Sequence, residues 1–347
     1  MTNCSTKSAN YPCQKCQNKK TIYLTFDDGP EAGTRDIYKK LNELGVPATF
    51  FMVGENVIAS ETGKLNISNI QSVAPGFFKR VFDNPLFEIG NHSQTQSHQF
   101  YDNYYKLGLR INPDTLAPSA TSQQSARRSV LVDFELSSVA FTHALNGTPS
   151  KYFQDRSKIL DYGYRGDDVL GLFSNYGITY FRFLTGRMPG TNTWRLDGAE
   201  SSWLSGERDD EANDLAKNKY KIFGWDTEWK MTNATYKDDP DNRNKSVMSV
   251  DVRNEHTRDE DGWWDGYYNE ANVGDDHLKE TVDILFSQTQ SKLERWRGGG
   301  TCVILLHDRQ FRSNPDGTNS YIEKLVEFIE KCKGEGYEFD VLENYQA

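Results

Sequence analysis

The sequence predicts an α/β fold built on a parallel sheet, with its chemistry gathered at the C-terminal ends of the strands. Three observations carry that reading. In Thr21–Phe26, Ile22, Leu24 and Phe26 share one face and Tyr23 and Thr25 the other, the period-two pattern of a half-buried strand. Asp36–Leu44 then sets Ile37, Leu41 and Leu44 on one helical face ahead of Gly45, and Pro47–Gly54 is a second short apolar run. Strand, helix and strand within about thirty residues form a βαβ unit, which implies parallel strands. Near the far end, Cys302–Leu306 is a short, wholly apolar strand running into His307 and Asp308.

Taken in order, residues 1–19 read as a polar tail and residues 20–347 as a single domain. The first strand is stopped by Gly29-Pro30, because Pro30 lacks a ladder donor and Gly29 accepts backbone angles that other residues avoid. Asp27 and Asp28 therefore stand at a strand's C-terminal end, where α/β folds place their active sites. Adjacent like charges resist joint ionisation unless a cation or hydrogen bonds neutralise one of them. Alone, Asp-Asp-Gly-Pro reads as a surface turn; the strand before it and the partners downstream favour a site. Phe87–His92 is a third strand end. Residues 99–165 read as an insertion with a helix over Val130–Ala144, followed by strands at Ile178–Phe183 and Tyr220–Trp229. Residues 230–275 have the composition of loops, and Trp263, Trp264, Tyr267 and Tyr268 are candidate platforms for stacking sugars or, equally, packed aromatics. A helix over Asp276–Trp296, a second over Tyr321–Cys332 and a strand over Phe339–Leu342 complete the chain.

With 347 residues the chain is long enough to bury a sizeable core. A formal charge of −10 argues against nucleic acid or an anionic membrane as partner. No apolar run has the length of a membrane span, and the first twenty residues show no apolar signal-peptide core. Cys13-x-x-Cys16 is half of a zinc-ribbon pattern without a second pair, and a disulfide from the N-terminal tail to the C-terminal segment is the alternative. Cys302 reads as a small buried residue.

Polar residues thus stand at several strand ends: Asp27 and Asp28, His92, the Arg187-Met188-Pro189 turn, Asp226 to Trp229, and His307. Carboxylates and imidazoles together suit zinc in an open site. Such a metal polarises a carbonyl and acidifies bound water, a carboxylate takes the proton, and a histidine protonates the leaving amine. These parts describe metal-assisted amide hydrolysis.

The same stretches resemble the polysaccharide deacetylases, the carbohydrate esterase family that includes chitin deacetylases and the rhizobial nodulation deacetylase. Thr25–Pro30 resembles the first motif, Gly90–Ser93 the second, Arg187-x-Pro189 the third, Trp225–Trp229 the fourth and Leu305–Asp308 the fifth, all in the family's order. Leu184–Arg195 and the long aromatic insertions are most similar to chitin oligosaccharide deacetylases. The resemblance implies a distorted (β/α) barrel with long loop insertions. Asp27 would be the general base, Asp28 and His92 metal ligands, and His307 the general acid. Arg187 would hold Asp27, Asp226 would orient or tune His307, and Trp229 and Leu305 would wall the acetyl-methyl pocket, with Pro189, Gly190 and Trp194 also facing substrate. The cofactor implied is zinc (Zn2+) or another divalent transition metal, the partner a chitin oligosaccharide or related N-acetylated glycan, and the location secreted or periplasmic.

One departure stands out. The family's second metal histidine falls four residues after the first, a position held here by Gln96, and the next histidine is His98. Its use as a ligand requires Ser93–Ser97 to bulge as a loop, since residues six apart do not share one side of a helical turn. The expected activity is removal of N-acetyl groups from N-acetylglucosamine oligomers. The alternatives are a carbohydrate-binding protein with an impaired metal site and an O-acetyl esterase acting on xylan.

Overall fold

In the computed structural model, which describes residues 20–30, 33–62, 76–94, 110–111, 118–119, 123–146, 181–190, 192–196, 209–233, 246–251, 275–294, 300–311 and 320–345, the first strand, β1, is Thr21–Gly29. Helix α1 (Thr34–Leu44) buries Ile37 and Leu41 and ends at Gly45, whose left-handed backbone (φ 61°) closes the cap. There follow β2 (Ala48–Met52), α2 (Gly54–Thr62), α3 (Phe77–Phe82) and β3 (Phe87–Asn91). A two-residue antiparallel pair, β4 (Arg110–Ile111) and β5 (Pro118–Ser119), precedes the long helix α4 (Gln123–Leu145). The remaining elements are β6 (Thr185–Gly186), α5 (Asp209–Lys217), β7 (Lys221–Ile222), β8 (Thr227–Asn233), β9 (Ser246–Asp251), α6 (Asp275–Leu293), β10 (Thr301–His307), α7 (Ser320–Gly334) and β11 (Glu338–Phe339).

β1 is the centre of the main sheet, flanked by β2 and β10, both parallel to it. From β1 the order runs through β2, β3 and β6 to β7 on one side and through β10 to β8 on the other, all parallel, with β9 added antiparallel to β8. Going round from β1 to β7 and on through β8 and β10, the strands follow chain order, as in a (β/α) barrel. Among the described residues no pairing joins β7 to β8, so this barrel is distorted and open there.

Alternation along β1 divides the core into two layers. Ile22, Leu24 and Phe26 face outward with Phe50, Met52, Ile304 and Leu306, against α1 and α7 through Ile37, Leu41, Leu325 and Phe328. Tyr23, Phe51 and Val303 face the interior and pack with Trp194, Phe223 and Leu342. Full burial of each such side chain contributes about 1.5–3 kcal/mol. A turn at Leu342–Asn344 closes the lower end of that interior. The Leu342 N–H donates to Thr49 Oγ1 (3.0 Å), and both the Thr49 hydroxyl (2.8 Å) and the Glu343 N–H (3.0 Å) donate to Glu88 Oε2. Burial lifts the Glu88 carboxyl above its ordinary range, although these donors oppose the shift.

Several expected elements differ. Among residues 181–186 the sheet pairing falls at Thr185–Gly186, after the expected Ile178–Phe183 strand. The single strand expected over Tyr220–Trp229 is two, β7 and β8, and the break between them is the opening of the barrel. Residues 230–233 and 246–251, read as loop, belong to the antiparallel β8–β9 pair. At the C-terminus the strand pairing with β1 is confined to Glu338–Phe339; the Asp340 N–H still donates to the Ile22 carbonyl (3.1 Å), the Val341 N–H turns to the Asp340 carboxylate, and those of Leu342 and Glu343 go to Thr49 and Glu88. Cys302 and Cys332 are buried free thiols, raised by burial, Cys332 to about 12. The N-terminal cysteines, Trp263, Trp264, Tyr267 and Tyr268 lie outside the described residues. Among the described residues no helix is long and apolar enough to cross a membrane.

Candidate active site

In a regular strand Asp27 and Asp28 would point to opposite faces. The register against β2 shifts between Asp27 and Gly29, so two residues of β1 advance against one of β2. Asp28 occupies the bulge in a left-handed conformation (φ 76°), which Asp tolerates better than most residues. Both carboxylates consequently reach the same imidazole: His92 Nε2 lies 3.6 Å from Asp27 Oδ2 and 3.5 Å from Asp28 Oδ1. All three side chains are buried.

His92 follows the last residue of β3 and is oriented from behind. Its Nδ1 is 2.9 Å from the Arg187 carbonyl oxygen, which only accepts, so Nδ1 carries a hydrogen and Nε2 is the nitrogen turned to the carboxylates. Burial disfavours the imidazolium, but Asp27, Asp28 and the Arg187 carbonyl together raise the His92 pKa above its ordinary value.

Arg187 is completely buried just after β6. Its Nη1 donates to Asp27 Oδ1 (2.9 Å) and to Thr25 Oγ1 (2.6 Å), Nη2 to the Gly224 carbonyl (2.8 Å) and Nε to the Phe223 carbonyl (3.1 Å). The guanidinium stacks on the Phe51 ring with Cζ 4.4 Å from the centroid. Gly90 makes room for that ring, since a Cβ there would collide with it. Burial pulls the Arg187 pKa down while Asp27 opposes the shift. Thr25 was not singled out in the sequence, yet alternation puts it on the face of Asp27.

His307 ends β10 in register with Asp27 and is partly exposed. Leu305 lies two residues earlier, between Thr25 of β1 and Glu228 of β8, so it faces the interior below His307. Pro189 is buried and Gly190 exposed, left-handed at φ 64°, in the turn that leaves Arg187.

Three expected positions are corrected. Asp226 is in register with Val303: its N–H donates to the Val303 carbonyl (2.8 Å), its Oδ2 accepts the Val303 N–H (2.9 Å), and Lys292 Nζ is 4.0 Å from Oδ1. His307 lies four residues farther along the strand, about 13 Å away, so Asp226 ties strand ends and does not orient His307. The carboxylate on the site's side is Glu228, buried next to Leu305, whose charge acts on Arg187. The period-two signal was present in Glu228-Trp229, because an outward tryptophan sends its neighbour inward. Trp229 is that outward residue. It is wholly buried behind the sheet against Phe311 (6.4 Å between centroids) and Phe328 (6.3 Å), and so it does not wall a pocket on the inner face. Trp194 packs on Phe223 (6.1 Å) and Tyr345 (5.9 Å) in the interior cluster with Tyr23 and Val303, toward the end of the barrel opposite Asp27.

Among the described residues no three His, Cys, Asp or Glu side chains are grouped so as to hold a metal ion. Asp28 and His92 supply two donors, while Gln96 and His98 lie outside the described residues. The donors present fit a divalent transition metal in kind: an imidazole nitrogen whose other N–H is anchored on a carbonyl, facing carboxylate oxygen.

Comparison with known proteins points to the same family. The model of the family described as polysaccharide deacetylase matches residues 14–153. A chitin disaccharide deacetylase of Vibrio alginolyticus is 24% identical over 378 residues, covering 97% of this chain and 74% of the relative. A bifunctional xylanase/deacetylase of Pseudobutyrivibrio xylanivorans is 43% identical over 53 residues, 15% of this chain and 9% of that protein. The catalytic domain of a peptidoglycan N-acetylglucosamine deacetylase from Eubacterium rectale ATCC 33656 superposes with a TM-score of 0.47 at 15% identity, covering 98% of this chain and 93% of that one. Residues 14–153 thus match a polysaccharide deacetylase domain.

Proposed function

We propose that the chain is a metal-dependent carbohydrate deacetylase that removes N-acetyl groups from N-acetylglucosamine oligosaccharides of the chitin type. One observation carries the reading: the bulge at Asp28 turns two adjacent carboxylates onto the imidazole of His92, with Arg187 holding Asp27 and His307 in register beside it. The similarity to a chitin disaccharide deacetylase along nearly the whole chain supports the substrate class.

Asp28 and His92 would hold the metal, with His98 as the third ligand, and when bound it supplies polarisation of the acetyl carbonyl and acidification of water. Asp27 accepts a proton from the attacking water, whose oxygen adds to the acetyl carbon. His307 donates a proton to the amide nitrogen as the C–N bond breaks, leaving acetate and a free amine. Arg187 fixes the direction of the Asp27 carboxylate through Oδ1 and leaves Oδ2 on the site's side. Leu305 and the Pro189-Gly190 turn border the space for the acetyl group.

Gln96 favours a second reading, a carbohydrate-binding protein with an impaired metal site. Metal content of the purified protein together with acetate release from N,N'-diacetylchitobiose decides between them. Acetate released in proportion to bound zinc is the expected result; glycan binding with neither metal nor acetate overturns it.

A further inference from the structure

Among the described residues three non-glycine residues adopt a left-handed backbone: Asp28 (φ 76°), Ser93 (φ 70°) and Lys219 (φ 71°). Lys219 lies in the turn after α5, whereas the other two belong to the candidate site, Asp28 as one carboxylate and Ser93 as the residue after His92. Such conformations persist only where the surroundings hold them. Both are held by one short segment, the junction between β2 and α2. The Val53 N–H donates to the Gly29 carbonyl (2.7 Å), the Gly54 N–H to the Ser93 carbonyl (3.0 Å), and the Met52 carbonyl accepts the His92 N–H (3.0 Å).

The bulge turns the Asp28 carbonyl out of the regular ladder, and such a group needs a donor from elsewhere. That donor is a side chain: Asn56 Nδ2, in the first turn of α2, lies 2.7 Å from the Asp28 carbonyl oxygen. A carbonyl only accepts, so the amide orientation is unambiguous. Nothing else about Asn56 marks it, since it is only partly buried and contributes no ligand atom.

We propose that Asn56 is a positioning residue. By holding the Asp28 carbonyl it keeps the bulge in the one backbone conformation that brings the Asp28 carboxylate to His92. The proposal rests on the deacetylase reading for its kinetic consequence and on geometry for the rest. Outer residues that orient a ligand typically change metal affinity or activity about 10–100-fold when removed.

The test compares wild type with Asn56→Leu, which keeps the branched shape without a donor, and with Asn56→Ala. Zinc affinity is read by chelator competition, kcat and KM on N,N'-diacetylchitobiose at saturating zinc, and Tm of the metal-free protein. The expected result for Asn56→Leu is a zinc Kd raised about tenfold or more, a kcat lowered about tenfold with KM little changed, and a metal-free Tm close to wild type. Should Asn56→Ala fail to fold, Asn56→Leu carries the measurement. Wild-type zinc affinity and kcat in Asn56→Leu overturn the proposal, and a lowered Tm with both unchanged does the same by making the residue merely structural. A wild type that binds zinc and releases no acetate overturns the proposed function and leaves zinc affinity to decide on Asn56. A wild type that does neither overturns both.

Discussion

Asp27 and Asp28 are neighbours in sequence with different partners. Asp27 is tied to Arg187 through Oδ1, whereas Asp28 faces His92 from the bulge. Asp27→Asn should abolish acetate release while zinc remains bound, because it removes the base without removing a proposed ligand; zinc analysis of that variant checks the division, and loss of metal would reverse the roles. His307, the proposed acid, ends β10 and is partly open to solvent. Its replacement by Ala should lower kcat by roughly a hundredfold or more with little change in KM, the mark of a group acting in the transition state. Trp229 is the opposite case. Packed on Phe311 and Phe328 behind the sheet, it should cost about 3–5 kcal/mol of stability on replacement by Ala, read by urea denaturation. A Trp229→Ala protein of unchanged stability but altered substrate affinity would return it to the pocket.

At the scale of the element, β1 does two jobs with one alternation: outward residues build the outer core, and inward ones pass from the inner core at Tyr23 to the candidate site at Thr25 and Asp27. Gly33 serves the second job from outside the strand. A Cβ on it would collide with the Asp308 backbone, which leads directly out of His307, while the Thr34 hydroxyl donates to the Asp308 carboxylate. The lower end of the barrel has its own chemistry in Glu88, which accepts from Thr49 and from the C-terminal turn. Its carboxyl is raised above its ordinary value of 4.5 by burial. The sign follows from linkage: a pKa higher in the folded than in the unfolded state gives stability that is present below the unfolded value and is lost as pH rises through the folded one. Wild type should therefore lose stability relative to Glu88→Gln as pH is raised above about 4.5. Urea unfolding of both proteins across that range measures it, and parallel pH profiles would show that Glu88 is not the cause.

For the whole molecule, the proposed metal site calls for a third protein ligand. Asp28 and His92 are brought together by β1, β3 and the β2–α2 junction, but two protein ligands bind zinc weakly and catalytic sites usually have three. His98→Ala should raise the zinc Kd and lower acetate release, whereas Gln96→Ala should change neither. Zinc should also raise the Tm of wild type by mass action, and by much less in His98→Ala. Wild-type zinc affinity in His98→Ala would exclude that histidine.

The sequence by itself determined the parallel βαβ core, the carboxylates at the end of the first strand and the histidine at the end of Cys302–Leu306, because alternation, chain breakers and apolar runs are local properties. It also carried the motif order by which it resembles the polysaccharide deacetylases. The tertiary structure decided which neighbours share a face. Asp27 and Asp28 converge only because β1 slips one residue against β2, a register that two separate strands set jointly. Asp226 and Glu228 exchange places for the same reason. Within Asp226-Thr227-Glu228-Trp229 the spacing offers two carboxylates, and only pairing with β10 shows that one lies level with Val303 and the other with Leu305. Trp229 has an aromatic ring suited to a pocket or to a core, and the packing of α7 behind the sheet assigned it to the core. Local sequence sets a residue's chemistry and its phase along the strand, but the side of the sheet it faces and the atoms it meets depend on register and on elements far away in the chain.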